Sequence, residues 1–279
     1  KEKISMLHVV SLLQKMHKII KYIKKFNINI PKICMILGSG LNSFVDEINN
    51  KTIINYKDIP GFFNTSVKGH KGQLIFGNIN NTPILCASGR FHYYEGYSFN
   101  QTSILIDLFK IYNPKLCIIT NSSGCLNLNW SLGSFMIAKQ ILDFSFINSG
   151  LPKYYKLNSK KYFDLALKTS KKINIKLHKG TYTFTMGPSY ETKAEINEII
   201  KLKGNAVGMS TFPEFLKCKK LGLDLIIISC LTNYGAGLLN NNKVKHKDVI
   251  DNASKAKTSF KKLIINIIQN IEHQKIQKI

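Results

Sequence analysis

Five apolar runs in this chain each stop abruptly at a cluster of glycine, serine, asparagine or threonine, and helical stretches lie between them. Run 32–37 passes into Gly38-Ser39-Gly40, run 83–87 into Ser88-Gly89-Arg90, and run 115–120 into Asn121-Ser122-Ser123-Gly124. Run 205–208 passes into Met209-Ser210-Thr211, and run 225–231 into Thr232-Asn233. Short apolar runs bounded by turn residues read as strands, and strands alternating with helices make an α/β fold. In such sheets ligands collect outside the carboxyl ends of the strands, where the loops carry small and polar residues. The five ends are therefore expected to converge on one polar pocket. Turn chemistry alone would explain the glycines. It does not explain an arginine with a histidine two residues on.

Further strands are expected near 73–76, 136–142 and 180–185, and helices over 101–111, 164–173, 193–203, 213–221 and 246–273. Over residues 1–30, Leu7, Val10, Leu13, Met16, Ile19, Ile23 and Phe26 recur at helical spacing with charges between them. That is an amphipathic surface helix, unlike the apolar block of a signal peptide. Repeats, linkers and abrupt shifts in composition are lacking, so residues 1–279 are read as a single domain. The architecture expected is a central mixed β-sheet flanked by helices.

Only one of the 40 lysine-plus-arginine side chains is arginine, Arg90. Lysine is a compact point charge, whereas guanidinium offers a planar fork that grips phosphate or carboxylate bidentately. A position that stays arginine in a lysine-saturated chain marks either geometry-demanding anion binding or a structural ion pair. Its neighbours, in Gly89-Arg90-Phe91-His92-Tyr93-Tyr94-Glu95-Gly96-Tyr97, favour the anion.

The formal charge of +24 raises nucleic acid as a partner. The lysines, however, are scattered along the whole chain together with many isoleucines and asparagines. That is the pattern of compositional drift, and no specific nucleic-acid partner is expected beyond loose adhesion to polyanions at low salt. Cys34, Cys86, Cys117, Cys125, Cys218 and Cys230 form no C-x-x-C pair and several sit in apolar runs, which suits buried free thiols in a reducing, cytoplasmic setting. No apolar stretch is long enough to span a bilayer, so no membrane partner is expected.

Gly38-Ser39-Gly40 is an anion-cradle pattern between a strand and an expected helix. Asn121-Ser122-Ser123-Gly124 can add N–H and hydroxyl donors. With Arg90, His92, Ser39 and Ser210 they make a nest for one phosphate-sized anion, too poor in acids for a triphosphate with magnesium. Thr192 and Glu195 form a capping box for the helix after them. Glu191, beside Tyr190, reads either as a solvated loop acid or as an acceptor for the N–H of a stacked heterocycle.

These residues together resemble the purine nucleoside phosphorylases of the trimeric, low-molecular-mass type, whose members act on inosine and guanosine or on xanthosine. Gly38-Ser39-Gly40-Leu41, Val67-Lys68-Gly69-His70-Lys71-Gly72, the Arg90 segment and Asn121-Ser122-Ser123-Gly124-Cys125-Leu126-Asn127 follow that family's signatures. So do residues 187–195, Val207-Gly208-Met209-Ser210-Thr211-Phe212-Pro213-Glu214 and Thr232-Asn233, in the family's order from about 31 to 246. The resemblance implies phosphorolysis of 6-oxopurine nucleosides by a homotrimer, with inorganic phosphate as co-substrate and no metal or organic cofactor. It implies that Ser39, His70, Arg90, His92, Ser122 and Ser210 surround phosphate. It places Tyr94, Met209 and His246 at the ribose and Tyr190, Glu191 and Asn233 at the purine, with Asn233, His92 and Glu191 closest to the chemistry. Close rivals are a methylthioadenosine phosphorylase and a nucleosidase using water; a rival of another class is a basic nucleic-acid-binding module on a decayed enzyme fold.

Three departures from the family stand out. The loop at 149–163, where an aromatic normally reaches the neighbouring subunit, is short and leaves Phe146, Tyr154, Tyr155 and Phe163 as candidates. Asn42 stands where glycine is usual and is expected to take the left-handed conformation. Ser122-Ser123-Gly124-Cys125 replaces a smaller Ala-Ala-Gly-Gly. His8, His17, His178 and His273 fit no motif and read as surface or helix residues, and Trp130 reads as packing.

Overall fold

Strand β1 (Ile33–Leu37) is buried at every position, and its side chains alternate between two cores. Cys34 and Ile36 enter one; Ile33, Met35 and Leu37 enter the other. A strand apolar on both faces must lie inside a sheet covered on both sides. β1 accordingly runs parallel to β4 (Thr82–Ser88) and β5 (Leu116–Cys125). The structure, a computed structural model, describes residues 6–65, 67, 69–147, 150–239, 251–253 and 255–273.

β5 and β10 (Leu225–Tyr234) are ten residues each and pair in parallel along most of their length. β10 then pairs antiparallel with β6 (Phe135–Asp143), which runs parallel to β8 (Leu177–Phe184). β8 runs parallel to β9 (Ala206–Gly208), and β9 returns antiparallel to the far end of β5. Five strands thus close into a ring that has no free edge. β1, β4, β3 (Gln73–Ile79) and β2 (Asn49–Asn55) extend from β5 as an open wing. β7 (Lys153–Lys156) pairs with β6. The result is a single-domain α/β fold around a mixed sheet.

Helices cover both faces. Ile19 and Ile23 of α1 (Met6–Ile23) share one core with α3 (Ile104–Tyr112) and α6 (Phe212–Leu221), around Phe109, Phe212 and Phe215. α4 (Lys160–Lys172) and α7 (Lys257–His273) pack on the other through Leu165, Ala166, Phe260 and Leu263. α5 (Lys193–Lys201) sets Ile196 and Ile199 against Val207 and Leu126. Each fully buried Ile, Leu or Phe among them contributes about 1.5–3 kcal/mol of transfer free energy.

Several elements differ from expectation. The single helix expected over 101–111 is two, α2 (Phe99–Thr102) and α3, because the buried Ser103 hydroxyl turns back onto the Phe99 carbonyl at 2.9 Å and breaks the helix between them. Asn121-Ser122-Ser123-Gly124 is not a loop but the second half of β5, held by pairing with β10 and β9. Thr232-Asn233 likewise lies within β10. β2 and β7 carry too few apolar residues to announce themselves: their exposed, polar faces belong to strands at the margins of the sheet. The start of the helix expected over 246–273 lies outside the described residues; α7 covers its later part.

Candidate active site

β1 and β4 stop where β5 and β10 run on, and the space above their ends is a cavity of about 750 Å³ including its open mouth. Ser39, His70, Arg90, His92, Ser122 and Ser210 line it, and so do Tyr94, Tyr190, Glu191, Met209 and Asn233. His246 lies outside the described residues. Five strand ends do converge.

Two glycines permit the convergence. A Cβ on Gly38 would stand 2.5 Å from the Cα of Asn121, so only glycine lets the end of β1 approach β5 this closely. Gly89 has φ +117° and would strike the Cβ of His70 at 2.9 Å, which lets the Arg90 segment pass against the His70 loop. The helix expected after Gly38-Ser39-Gly40 is only a 3-10 segment, Asn42–Glu47. Asn42 is not left-handed; Gly40 is, at φ 76°. Asn42 instead ties loops together: its Nδ2 donates to the Gly69 carbonyl, and its Oδ1 accepts from Ser88 Oγ at 2.9 Å.

The donors cluster around Arg90 and the two histidines. Arg90 is 1% exposed. Its Nη1 donates to the Thr120 carbonyl at 2.8 Å and to Ser210 Oγ at 3.0 Å. Its Nε lies 3.0 Å from Glu214 Oε1, an ion pair whose N–H is not aimed well enough to count as a hydrogen bond. Nη2 is buried with no hydrogen-bond partner among the described residues. Ser39 Oγ and His70 Nε2 are 3.2 Å apart, and the His70 and His92 ring centroids 5.3 Å. Glu95 Oε1 accepts from the His92 backbone N–H at 2.8 Å and lies 3.0 Å from His92 Nδ1, which orients the ring by that nitrogen.

Ser210 is presented by a tight turn. The Phe212 N–H donates to the Ser210 carbonyl at 2.9 Å around Thr211, which has φ +78° and ψ −38°. A β-branched residue in that region is strained and persists only where its surroundings over-determine it. They do so here: Asn121 Nδ2 donates to Thr211 Oγ1 at 2.9 Å, and the Tyr182 hydroxyl donates to the Ser210 carbonyl at 2.9 Å. Burial pushes the Tyr182 phenol up, so it stays a donor.

Acceptors and aromatic rings line the same cavity. Glu191 Oε1 accepts from Thr185 Oγ1 at 2.6 Å. Burial raises its carboxyl above the ordinary range, against the lowering effect of the Thr185 hydrogen bond. It is not a solvated loop acid. Asn233 Oδ1 accepts from Thr232 Oγ1 and its Nδ2 donates to the Tyr234 carbonyl, both at 3.0 Å, so the amide is held in one orientation. Tyr94 stacks on His92 with centroids 4.8 Å apart, and burial, with Glu95 and Tyr190 nearby, pushes its phenol up to about 12.

The model of the Phosphorylase superfamily matches residues 32–269 of this chain, a span that contains every one of these groups. The chain belongs to that superfamily. It is 36% identical over 253 residues to purine nucleoside phosphorylase 1 of Bacillus subtilis, covering 87% of this chain and 93% of that protein. Mouse purine nucleoside phosphorylase is 28% identical over 259 residues, covering 86% and 89%. Among solved structures, Schistosoma mansoni purine nucleoside phosphorylase in complex with inosine superposes with a TM-score of 0.81 at 29% identity, covering 91% of this chain and 95% of that one. This phosphorylase is a glycosyltransferase-type enzyme acting on purine nucleosides to give base and ribose 1-phosphate, and it closely resembles the trimeric, low-molecular-mass enzymes.

Sequence reading missed the residues that hold the site from behind: Glu95, Thr185, Thr211 and Glu214. The signal for two of them was scarcity, since an acid three residues after His92 and another in the first turn of α6 stand out among only 16. Of the aromatic candidates, Phe146 and Tyr154 are exposed, at 46% and 44%, while Tyr155 packs on Phe212 and Phe163 on the α7 core. Trp130 packs, as expected, by stacking on His178 at 4.2 Å. His178 is therefore not an ordinary surface residue: burial lowers its pKa and its Nε2 is buried. All six cysteines are buried and free. Among the described residues no three His, Cys, Asp or Glu group as metal ligands, and no helix is long and apolar enough to cross a membrane.

Proposed function

We propose that this phosphorylase cleaves 6-oxopurine nucleosides, inosine and guanosine foremost and xanthosine within the same class, by reversible phosphorolysis in purine salvage. The observation that carries this reading is a single cavity lined both by the donors around Arg90 and by Glu191 and Asn233. Inorganic phosphate, the co-substrate, would sit among Ser39, Arg90, His92 and Ser210, with the Ser122 backbone amide assisting and His70 close by. Tyr94, Met209 and His246 would contact the ribose, His246 towards the 5′-hydroxyl. Tyr190 would face the base and Glu191 accept its ring N–H. Neither a metal nor an organic cofactor enters the scheme.

In the forward direction a phosphate oxygen attacks the anomeric carbon as the bond to N9 breaks, and the bonding pair leaves with the purine. Positive charge grows on the ribose and negative charge on the base. The phosphate beneath the sugar stabilises the first, and the Asn233 amide, donating to N7, stabilises the second. The same amide can meet O6, which favours 6-oxopurines. Related enzymes from Schistosoma have been solved with hypoxanthine, inosine, guanosine and adenosine, which supports a purine nucleoside as the ligand class.

The enzyme is further read as a cytoplasmic homotrimer without a specific nucleic-acid partner. Buried thiols suit a reducing compartment. The test is direct: incubate the protein with inosine, with and without phosphate, and follow hypoxanthine. Release only with phosphate is expected; release in water alone would make it a nucleosidase, and no release with any nucleoside would end the reading. Light scattering should give three times the chain mass.

A further inference from the structure

We infer that Glu214 is a positioning residue for the phosphate site, seating the Arg90 guanidinium and setting the charge that an incoming anion meets. This rests on the phosphate-binding reading above. Arg90 Nε faces Glu214 Oε1 at 3.0 Å, and Nη1 is spent on the Thr120 carbonyl at 2.8 Å and Ser210 Oγ at 3.0 Å. A planar guanidinium fixed on two sides has only one direction left for its third nitrogen. Nη2, buried and without a partner among the described residues, is the one nitrogen of this cavity-lining side chain left uncommitted.

Glu214 and Ser210 reach the same guanidinium from either side of the strained turn at Thr211. The turn starts α6, and Glu214 stands in the first turn of that helix. Ser210 and Glu214 are thus delivered to Arg90 as one unit. Were the pair only structural, apolar side chains of like volume could replace it at little cost, because desolvation offsets most of the attraction. Here one partner must stay ionised to hold substrate. Both side chains are 1% exposed, so water screens the pair poorly. The carboxylate already balances the guanidinium before phosphate arrives. Glu214 therefore gives geometry and withholds net positive charge from the anion.

The two contributions separate in two variants. Glu214→Gln keeps an oxygen for Nε and removes the negative charge; Glu214→Ala removes both. Inorganic phosphate is titrated calorimetrically onto the full-length wild type, E214Q and E214A, with thermal melts of each, and wild-type phosphorolysis of inosine is assayed in parallel. E214Q is expected to bind phosphate about threefold or more tighter than wild type, and E214A about tenfold or more weaker, with KM for inosine little changed in both. Folded variants that keep the wild-type phosphate affinity, or that both shift the same way, would overturn the inference while leaving the enzyme reading intact. If E214A does not fold, E214Q decides alone: tighter binding supports the inference, and unchanged or weaker binding overturns it. A wild type that neither binds phosphate nor cleaves inosine removes the underlying reading instead.

Discussion

The side-chain amide of Asn121 donates to the Thr211 hydroxyl at 2.9 Å, joining the middle of β5 to the strained turn that opens α6. The same Asn121 accepts from Ser123 Oγ at 2.6 Å and is 2% exposed. Asn121→Ala would strand the Ser123 hydroxyl and leave Thr211 Oγ1 only its longer contacts with Arg90 Nη1 and Ser210 Oγ at 3.4 Å; a buried hydroxyl costs about 1–3 kcal/mol when left unpaired. The variant is expected to lose about 1–3 kcal/mol of stability. Urea unfolding checks this as a lower midpoint at unchanged slope. Because the turn presents Ser210, the phosphate KM should rise too. A variant with wild-type stability would show that Thr211 needs no such support.

Glu191 gives this phosphorylase a pH signature. Burial holds its carboxyl above the ordinary ~4.3 of glutamate, with the Thr185 hydrogen bond working the other way. An acid raised in the folded state costs nothing below the unfolded pKa, where both states hold the proton. As pH climbs through ~4.3 the unfolded chain ionises first, so stability is lost until the folded pKa is passed. Glu191→Gln is therefore expected to gain melting temperature relative to wild type as pH rises from 4 to 7, while losing activity on inosine. The wild-type acid limb of kcat/KM should fall above pH ~4.3, since only the ionised carboxylate accepts well from the purine N–H. Parallel profiles for both proteins decide it; an identical acid limb in Glu191→Gln would remove Glu191 from the purine contact.

Much of this was legible because strand ends and turn residues are local signals. The five runs, the lone Arg90 and the small residues after each strand pointed to one pocket without any knowledge of pairing. The ring of strands was not legible. It depends on β5 continuing through Asn121-Ser122-Ser123-Gly124, residues that read as loop because their strand character comes from pairing with β10 and β9. Thr185 and Glu214 were hidden for the same reason: they act on Glu191 and Arg90 through contacts that only the folded chain creates.

Selectivity should turn on Asn233. Its Oδ1 accepts from Thr232 Oγ1 and its Nδ2 donates to the Tyr234 carbonyl, and an aspartate keeps only the first of these contacts. Asn233→Asp replaces the N–H donor with a second acceptor. It is expected to lower kcat/KM for inosine by about 10²-fold, the scale for losing one transition-state donor. Adenosine, whose 6-amino group donates, should lose less, so the ratio of the two specificity constants shifts towards adenosine. Initial rates on both nucleosides at saturating phosphate measure that ratio, and an unchanged ratio refutes the assigned role.

Ser122 stands where alanine is common in the family it resembles, and its hydroxyl donates to the Ser39 carbonyl at 2.7 Å across 83 positions of sequence. The bond ties the end of β1 to β5 at the point where Gly38 already lets the two backbones touch. A neutral hydrogen bond of this kind contributes about 0.5–1.5 kcal/mol net. Ser122→Ala keeps the backbone amide and the strand and removes only the tie. The Ser39 loop then samples more positions, so part of the phosphate affinity is spent on ordering it. Phosphate KM is expected to rise about 2–10-fold, with the inosine KM nearly unchanged and the melting temperature lower by roughly 1–6 °C. Steady-state kinetics with each substrate varied in turn read this split. A matching rise in both KM values would instead indicate a general loosening of the cavity, and an unchanged phosphate KM would mean that the Ser39 loop holds its shape without help.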